Sequence, residues 1–132
     1  MKNTLRNFYL NSKYYLWYTS FQRALIDSKE KQEGVIILFD KKFYFHHGLA
    51  FYDTYREIFG KNIYEFKTNN PKPIILDCGA NMGLSILFFS KKYPNAEIIA
   101  FEPDETVLPF LEKNIISQNI KNVELCKKAV WT

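Results

Sequence analysis

The sequence predicts an α/β fold, a Rossmann-like parallel sheet carrying the first three strands of a larger domain. Three observations predict it. Apolar runs at 74–78, 97–101 and 123–127 alternate with amphipathic segments at about 83–92 and 105–118, the rhythm of right-handed crossovers between parallel strands. The first run ends in an acid, passes through a glycine turn, Asp77-Cys78-Gly79-Ala80-Asn81-Met82-Gly83, and opens directly into an apolar helical segment. The second run ends in Glu102, 25 residues after Asp77.

Taken in order, the chain begins with a dense set of aromatics between Leu5 and Ile26. Tyr14, Trp17/Tyr18, Phe21 and Leu25 follow helical spacing, so an amphipathic helix packed on the domain is expected. A second reading is membrane-surface association through residues 5–26, since Trp and Tyr suit an interface and Lys13 and Arg23 flank them. Val35 to Phe39 reads as a strand, Asp40-Lys41-Lys42 as a turn, and Phe43-Tyr44-Phe45 as the returning strand of a hairpin. His46-His47 follows. Adjacent strand residues point to opposite faces and no acid or Cys stands at ligand spacing, so no metal is expected there. Phe51 to Phe59 reads as a short helix closed by Gly60, and Tyr64-Glu65-Phe66 as a short approach segment. Asn69-Asn70-Pro71-Lys72-Pro73 is the clearest break, dividing an amino-terminal helical and hairpin extension (1–70) from a Rossmann-like unit (71–132). Pro94 ends the first helix of that unit, and Pro109 places the start or a bend of the second.

Bulk properties narrow the function classes. At 132 residues, 47% hydrophobic and 24% charged, the chain is globular and holds one domain at most. The net charge of +4 comes from residues 1–70, with 11 Lys/Arg against 7 Asp/Glu, while residues 71–132 balance at 7 against 7. Basic runs never exceed two residues, so nucleic acid is not expected as a partner. Cys78 and Cys126 fall in strands at no zinc or redox spacing, and buried free thiols in a reducing cytosol are expected. With neither a long apolar run nor a cleavable leader, the protein is expected in the cytoplasm.

The chemistry lies at the strand tips. Ligands of open α/β sheets bind beyond the carboxyl ends of the strands. Asp77 sits at such an end, where it can meet an α-ammonium. Gly79 and Gly83 allow positive φ or close approach of a ligand. Asn81 and the N–H groups opening the helix can bind a carboxylate. Glu102, acceptor-only when ionised, can take both hydroxyls of a ribose and would repel a 2′-phosphate. Lys128-Ala129-Val130, after the third strand, would lie beside a base whose edge the Ala129 backbone could read. A nucleoside with a cationic far end fits, which is S-adenosylmethionine. A nicotinamide dinucleotide expects Gly-x-Gly-x-x-Gly here, and the middle glycine is missing. A noncatalytic module that keeps the βαβ unit for partner association is the remaining alternative.

Asp77 to Gly83, Ile99-Ala100-Phe101-Glu102-Pro103, Leu111-Glu112-x-Asn114-Ile115 and Asn122-Val123-Glu124-Leu125 together resemble FkbM-type methyltransferases of the class I fold, over roughly residues 71–132. Tyr55-Arg56-Glu57-Ile58-Phe59 fits more loosely, and Cys78 replaces the more usual aliphatic residue. The resemblance implies donor-dependent O-methylation of a small-molecule or glycan hydroxyl. It places Asp77, Gly79, Ala80, Asn81 and Gly83 in the donor loop, with Glu102 and Pro103 at the ribose. The family's later Asp-Val-Glu-Gly-like segment has no counterpart, so the resemblance implies the amino-terminal half of the enzyme. The general base and acceptor pocket would then belong to the other half, this half alone would not turn over, and the sheet would keep an exposed apolar edge.

Overall fold

The computed structural model describes residues 32–131, so the helix expected over 5–26 lies outside the described residues. Two strands, β1 (Gly34–Leu38) and β2 (Lys41–Phe45), pair antiparallel with Leu38 opposite Lys41. The two-residue turn is therefore Phe39-Asp40, not Asp40 to Lys42, and both residues have positive φ (51° and 64°). That is the geometry of a tight hairpin turn, usually served by Asn-Gly. An aromatic residue in this region costs on the order of 1–2 kcal/mol. Tertiary packing offsets it: the Phe39 ring is buried, lies 5.6 Å from that of Phe59, and carries the Lys91 ammonium 4.7 Å from its centre. Sequence propensity has no access to those partners.

Helix α1 (Gly48–Tyr55) continues into one π-helical turn, Arg56–Gly60. His47 caps it, its Nδ1 accepting the Ala50 N–H at 3.2 Å. Phe51, Tyr55 and Phe59, four residues apart, share one face. Their rings form a ladder from Phe45 to Phe51, Tyr55, Phe59 and on to Phe88, with centroids 4.9 to 6.0 Å apart. The ladder carries the hydrophobic core from the hairpin into the parallel unit, and buried residues from Ile36 to Leu111 form one cluster. The Tyr64 to Phe66 segment is neither strand nor helix. It is fixed by Tyr93, whose hydroxyl accepts the Phe66 N–H at 2.7 Å and donates to the Phe66 carbonyl at 2.8 Å.

The parallel unit follows the expected order: β3 (Ile74–Cys78), α2 (Leu84–Lys92), β4 (Glu97–Phe101), α3 (Leu108–Ser117) and β5 (Val123–Cys126). Pro109 stands in the first turn of α3, where its missing N–H costs nothing. The sheet order is β3-β4-β5, all parallel, with Asp77 opposite Ala100 and Ile98 opposite Val123. Both crossovers step the same way along the sheet, and right-handed connections then leave both helices on one face. Burial records this: Ile75, Asp77, Ile98 and Ala100 are covered, whereas Ile74 and Leu76 are 67% and 63% exposed. Helix α3 also holds the hairpin. Ser117 Oγ donates to the Lys42 carbonyl at 2.7 Å, Gln118 Nε2 to the same carbonyl at 3.1 Å, and Lys41 Nζ to the Gln118 carbonyl at 3.2 Å.

The one-sided sheet corrects the expectation for the thiols. Cys78 is exposed and Cys126 half-buried, both free, because both side chains fall on the uncovered face with Leu76 and Phe101. Among the described residues no helix is long and apolar enough to cross a membrane. Cys78 should accordingly react with an aromatic disulfide reagent in the folded protein nearly as fast as in denaturant. Strong protection in the native state would show that something covers this face.

Candidate functional site

The carboxyl ends of β3 and β4 lie side by side and bring two sequence-predicted groups to one edge, Asp77 with the turn behind it and Glu102-Pro103, while Ala129 lies three residues beyond the end of β5. Local backbone needs build the first of these. Gly79 and Gly83 have φ of 93° and 94°, and Asn81 between them has φ of 50°, all left-handed and so served by Gly and Asn. The two glycines differ in their surroundings. A Cβ on Gly79 would meet nothing within 4 Å, whereas one on Gly83 would lie 2.8 Å from Leu111 Cδ1. Gly79 thus leaves open space beside the backbone. Gly83 lets α3 pack closely on the start of α2, with the fully buried Leu111 against it.

Backbone donors of the turn are largely committed within the protein. The N–H groups of Gly79 and Ala80 both donate to the Phe101 carbonyl at 2.9 Å, and Gly83 N–H donates to the Ala80 carbonyl. Asn81 N–H donates to Glu102 Oε2 at 2.7 Å, and Asp104 N–H to Glu102 Oε1 at 2.9 Å. Each Glu102 oxygen accepts one amide and keeps further lone-pair capacity. Ala80 and Glu102 are buried, while Asn81, Pro103 and Ala129 are exposed. No side chain caps α2, and N–H groups in a first helical turn have no intrahelical acceptor.

Asp77 is buried on the helix-bearing face, where its Oδ2 accepts the Ser85 hydroxyl proton at 2.6 Å. Burial raises its pKa above the ordinary 3.8; the Ser85 hydrogen bond opposes the rise and the nearby Glu102 charge adds to it. Asp104 behaves oppositely. Hydrogen bonds from the Thr106 hydroxyl and N–H, at 2.7 and 2.8 Å, hold its carboxyl below the usual range. Ser85 and Asp104 were not singled out by sequence reasoning. Ser85 stands eight residues past Asp77, a spacing with meaning only once strand, turn and helix are in place.

The histidines do not join this site as a pair. His47 caps α1, and His46 packs on Phe110 at 5.8 Å, its pKa lowered first by burial and then by His47. Among the described residues no group of three or more His, Cys, Asp or Glu could hold a metal ion.

Two substitutions follow from this geometry. Gly83→Ala should destabilise by about 1–3 kcal/mol through strained backbone and the Leu111 clash, and Gly79→Ala by less, measured by urea unfolding; equal costs would contradict the packing role of Gly83. Asp77 has a raised folded-state pKa, so its stabilising contribution is full below pH 3.8 and is lost as pH rises through the folded value. Asp77→Asn should therefore raise the thermal midpoint at pH 7 and lose that gain below pH 3.8. An offset independent of pH would exclude a buried ionised Asp77 as its source.

Comparison with known proteins adds to this geometry. No protein-family model matches the chain. It is similar to Methyltransferase sdnD of Sordaria araneosa, 41% identical over 61 residues, covering 46% of this chain and 24% of that protein. It is also similar to Methyltransferase 1 of Beauveria bassiana, 30% identical over 70 residues, covering 53% of this chain and 28% of that protein. The chain thus spans about a quarter of the length of the curated relatives it matches. Among solved structures, M. jannaschii TYW2 in complex with AdoMet superimposes with a TM-score of 0.52 at 17% identity, over 74% of this chain and 44% of that one. The fold is similar to Rossmann-like methyltransferase folds, and the sequence likeness is to methyltransferases.

Proposed function

We propose that residues 71–132 form the donor-binding part of an S-adenosylmethionine-dependent methyltransferase of the FkbM type, with residues 1–70 as its amino-terminal extension. The acceptor is a hydroxyl of a glycan or small metabolite, and the enzyme works in the cytoplasm, where exposed free thiols such as Cys78 stay reduced. The observation that carries the reading is the juxtaposition of two acids, Asp77 and Glu102, on the tips of adjacent parallel strands. An open-sided, left-handed glycine turn lies between them.

The residues suit the donor in four ways. Asp77 is a buried carboxylate whose hydrogen-bond partner is the neutral Ser85 hydroxyl, and an α-ammonium there would supply the opposite charge that burial otherwise makes costly. Glu102 is held by two backbone amides, so its orientation is set before a ribose arrives, and its remaining lone pairs would accept the two ribose hydroxyls. Open space beside Gly79 leaves the methionine portion a path along the turn, with the Asn81 side chain exposed next to it. Pro103 and the Ala129 backbone would border the adenine. When bound, S-adenosylmethionine supplies an electrophilic methyl on a sulfonium. The described residues then contribute alignment: they fix both ends of the donor so that the methyl presents to an incoming oxygen. Proton removal from the acceptor is assigned to none of them.

The test is calorimetric titration of the chain with S-adenosylhomocysteine and, separately, with NAD. Saturable heat is expected with the first alone. Glu102→Ala should weaken it at least about tenfold, the worth of one charge-assisted hydrogen bond. Binding of NAD, or of neither compound, would overturn the reading, and the second result would favour a noncatalytic module.

A further inference from the structure

The glycine turn is held from behind by a residue outside the strand tips. Asn114, on α3, is only 1% exposed. Its Nδ2 donates to the Met82 carbonyl at 2.8 Å and to the Tyr44 carbonyl at 2.8 Å, and its Oδ1 accepts the Tyr44 N–H at 2.6 Å. Two carbonyls on one side and an N–H on the other fix which end of the amide is nitrogen. One side chain therefore joins three segments far apart in sequence: α3, the second strand of the hairpin, and the turn between Asn81 and Gly83. Met82 is itself buried, at 1% exposure, so its carbonyl has no water to turn to if this donor is lost. The residues on either side of Met82 are both left-handed, and the N–H of the first one is the donor that Glu102 accepts.

We propose that Asn114 is a positioning residue for the donor site, acting through the Met82 carbonyl to hold the Asn81–Gly83 turn, and that it couples the β1–β2 hairpin to that turn. The role in donor binding rests on the methyltransferase reading; the hold on the turn does not. Asp at this position would keep the acceptor for Tyr44 N–H but turn an oxygen toward the Met82 and Tyr44 carbonyls. Ala would leave both without a partner. Ser117 provides the control, because its hydroxyl donates to the hairpin at the Lys42 carbonyl and not to the turn.

The experiment compares wild type, Asn114→Asp, Asn114→Ala and Ser117→Ala by amide hydrogen exchange and by S-adenosylhomocysteine titration. Both Asn114 variants should speed exchange at the Asn81 and Gly83 amides about tenfold beyond any change at the core amides of Ile98 and Ala100, and weaken ligand binding by a similar factor. Ser117→Ala should do neither, although it too loosens the hairpin. Should both Asn114 variants fail to fold, the wild-type protein still decides: its Asn114 side-chain amide protons should exchange far more slowly than those of exposed asparagines. Fast exchange there, or turn amides that follow the core in every variant, overturns the proposal. If wild type binds no S-adenosylhomocysteine while the exchange pattern holds, the hold on the turn stands and the methyltransferase reading falls.

Discussion

A single carboxylate fastens the two loops on which the site is built. Glu102 leaves the tip of β4 and accepts the amide of Asn81, beyond β3, and the amide of Asp104, beyond its own strand. A buried acid satisfied by backbone donors is oriented before any ligand arrives, and the desolvation it has suffered is already offset by charge-assisted hydrogen bonds. Asn81 can offer its N–H there only because the turn is left-handed at that residue. Gly79, Gly83 and Asn81 are in this sense requirements of the Glu102 contact as much as of a ligand. Removing the carboxylate would free both loops together.

The second constraint is topological. Two crossovers that step in one direction place α2 and α3 on the same side, bury Asp77 among the helices, and leave Ile74, Leu76 and Cys78 bare. Strand β3 also ends the sheet on its outer side. Among the described residues, the exposed apolar face and the edge position of this strand favour self-association.

Much of this was legible in the sequence. The alternation of apolar runs with helical patterns located β3, α2, β4, α3 and β5 within a few residues, because hydrophobic periodicity reflects the burial that builds those elements. Asp77, the glycine turn and Glu102 stood out for the same reason, as polar breaks at the ends of apolar runs. What the sequence hid depends on partners distant along the chain. Phe39 occupies a strained turn because Phe59 and Lys91 hold its ring. Ser85 matters through Asp77, and Asn114 through Tyr44 and Met82, 70 and 32 residues away. The thiols were expected to be buried because strand membership does not say which face a helix will cover.

The central claim is that the tips of β3, β4 and β5 grip one small molecule between Asp77 and Glu102. An amide-resolved NMR titration of the chain with S-adenosylhomocysteine tests it most directly. Saturable shifts are predicted at the amides of residues 79–83, 102, 104 and 128–130, with those of Lys72 and Glu97, at the opposite ends of the strands, unmoved. Shifts centred anywhere else, or none at all, would contradict it.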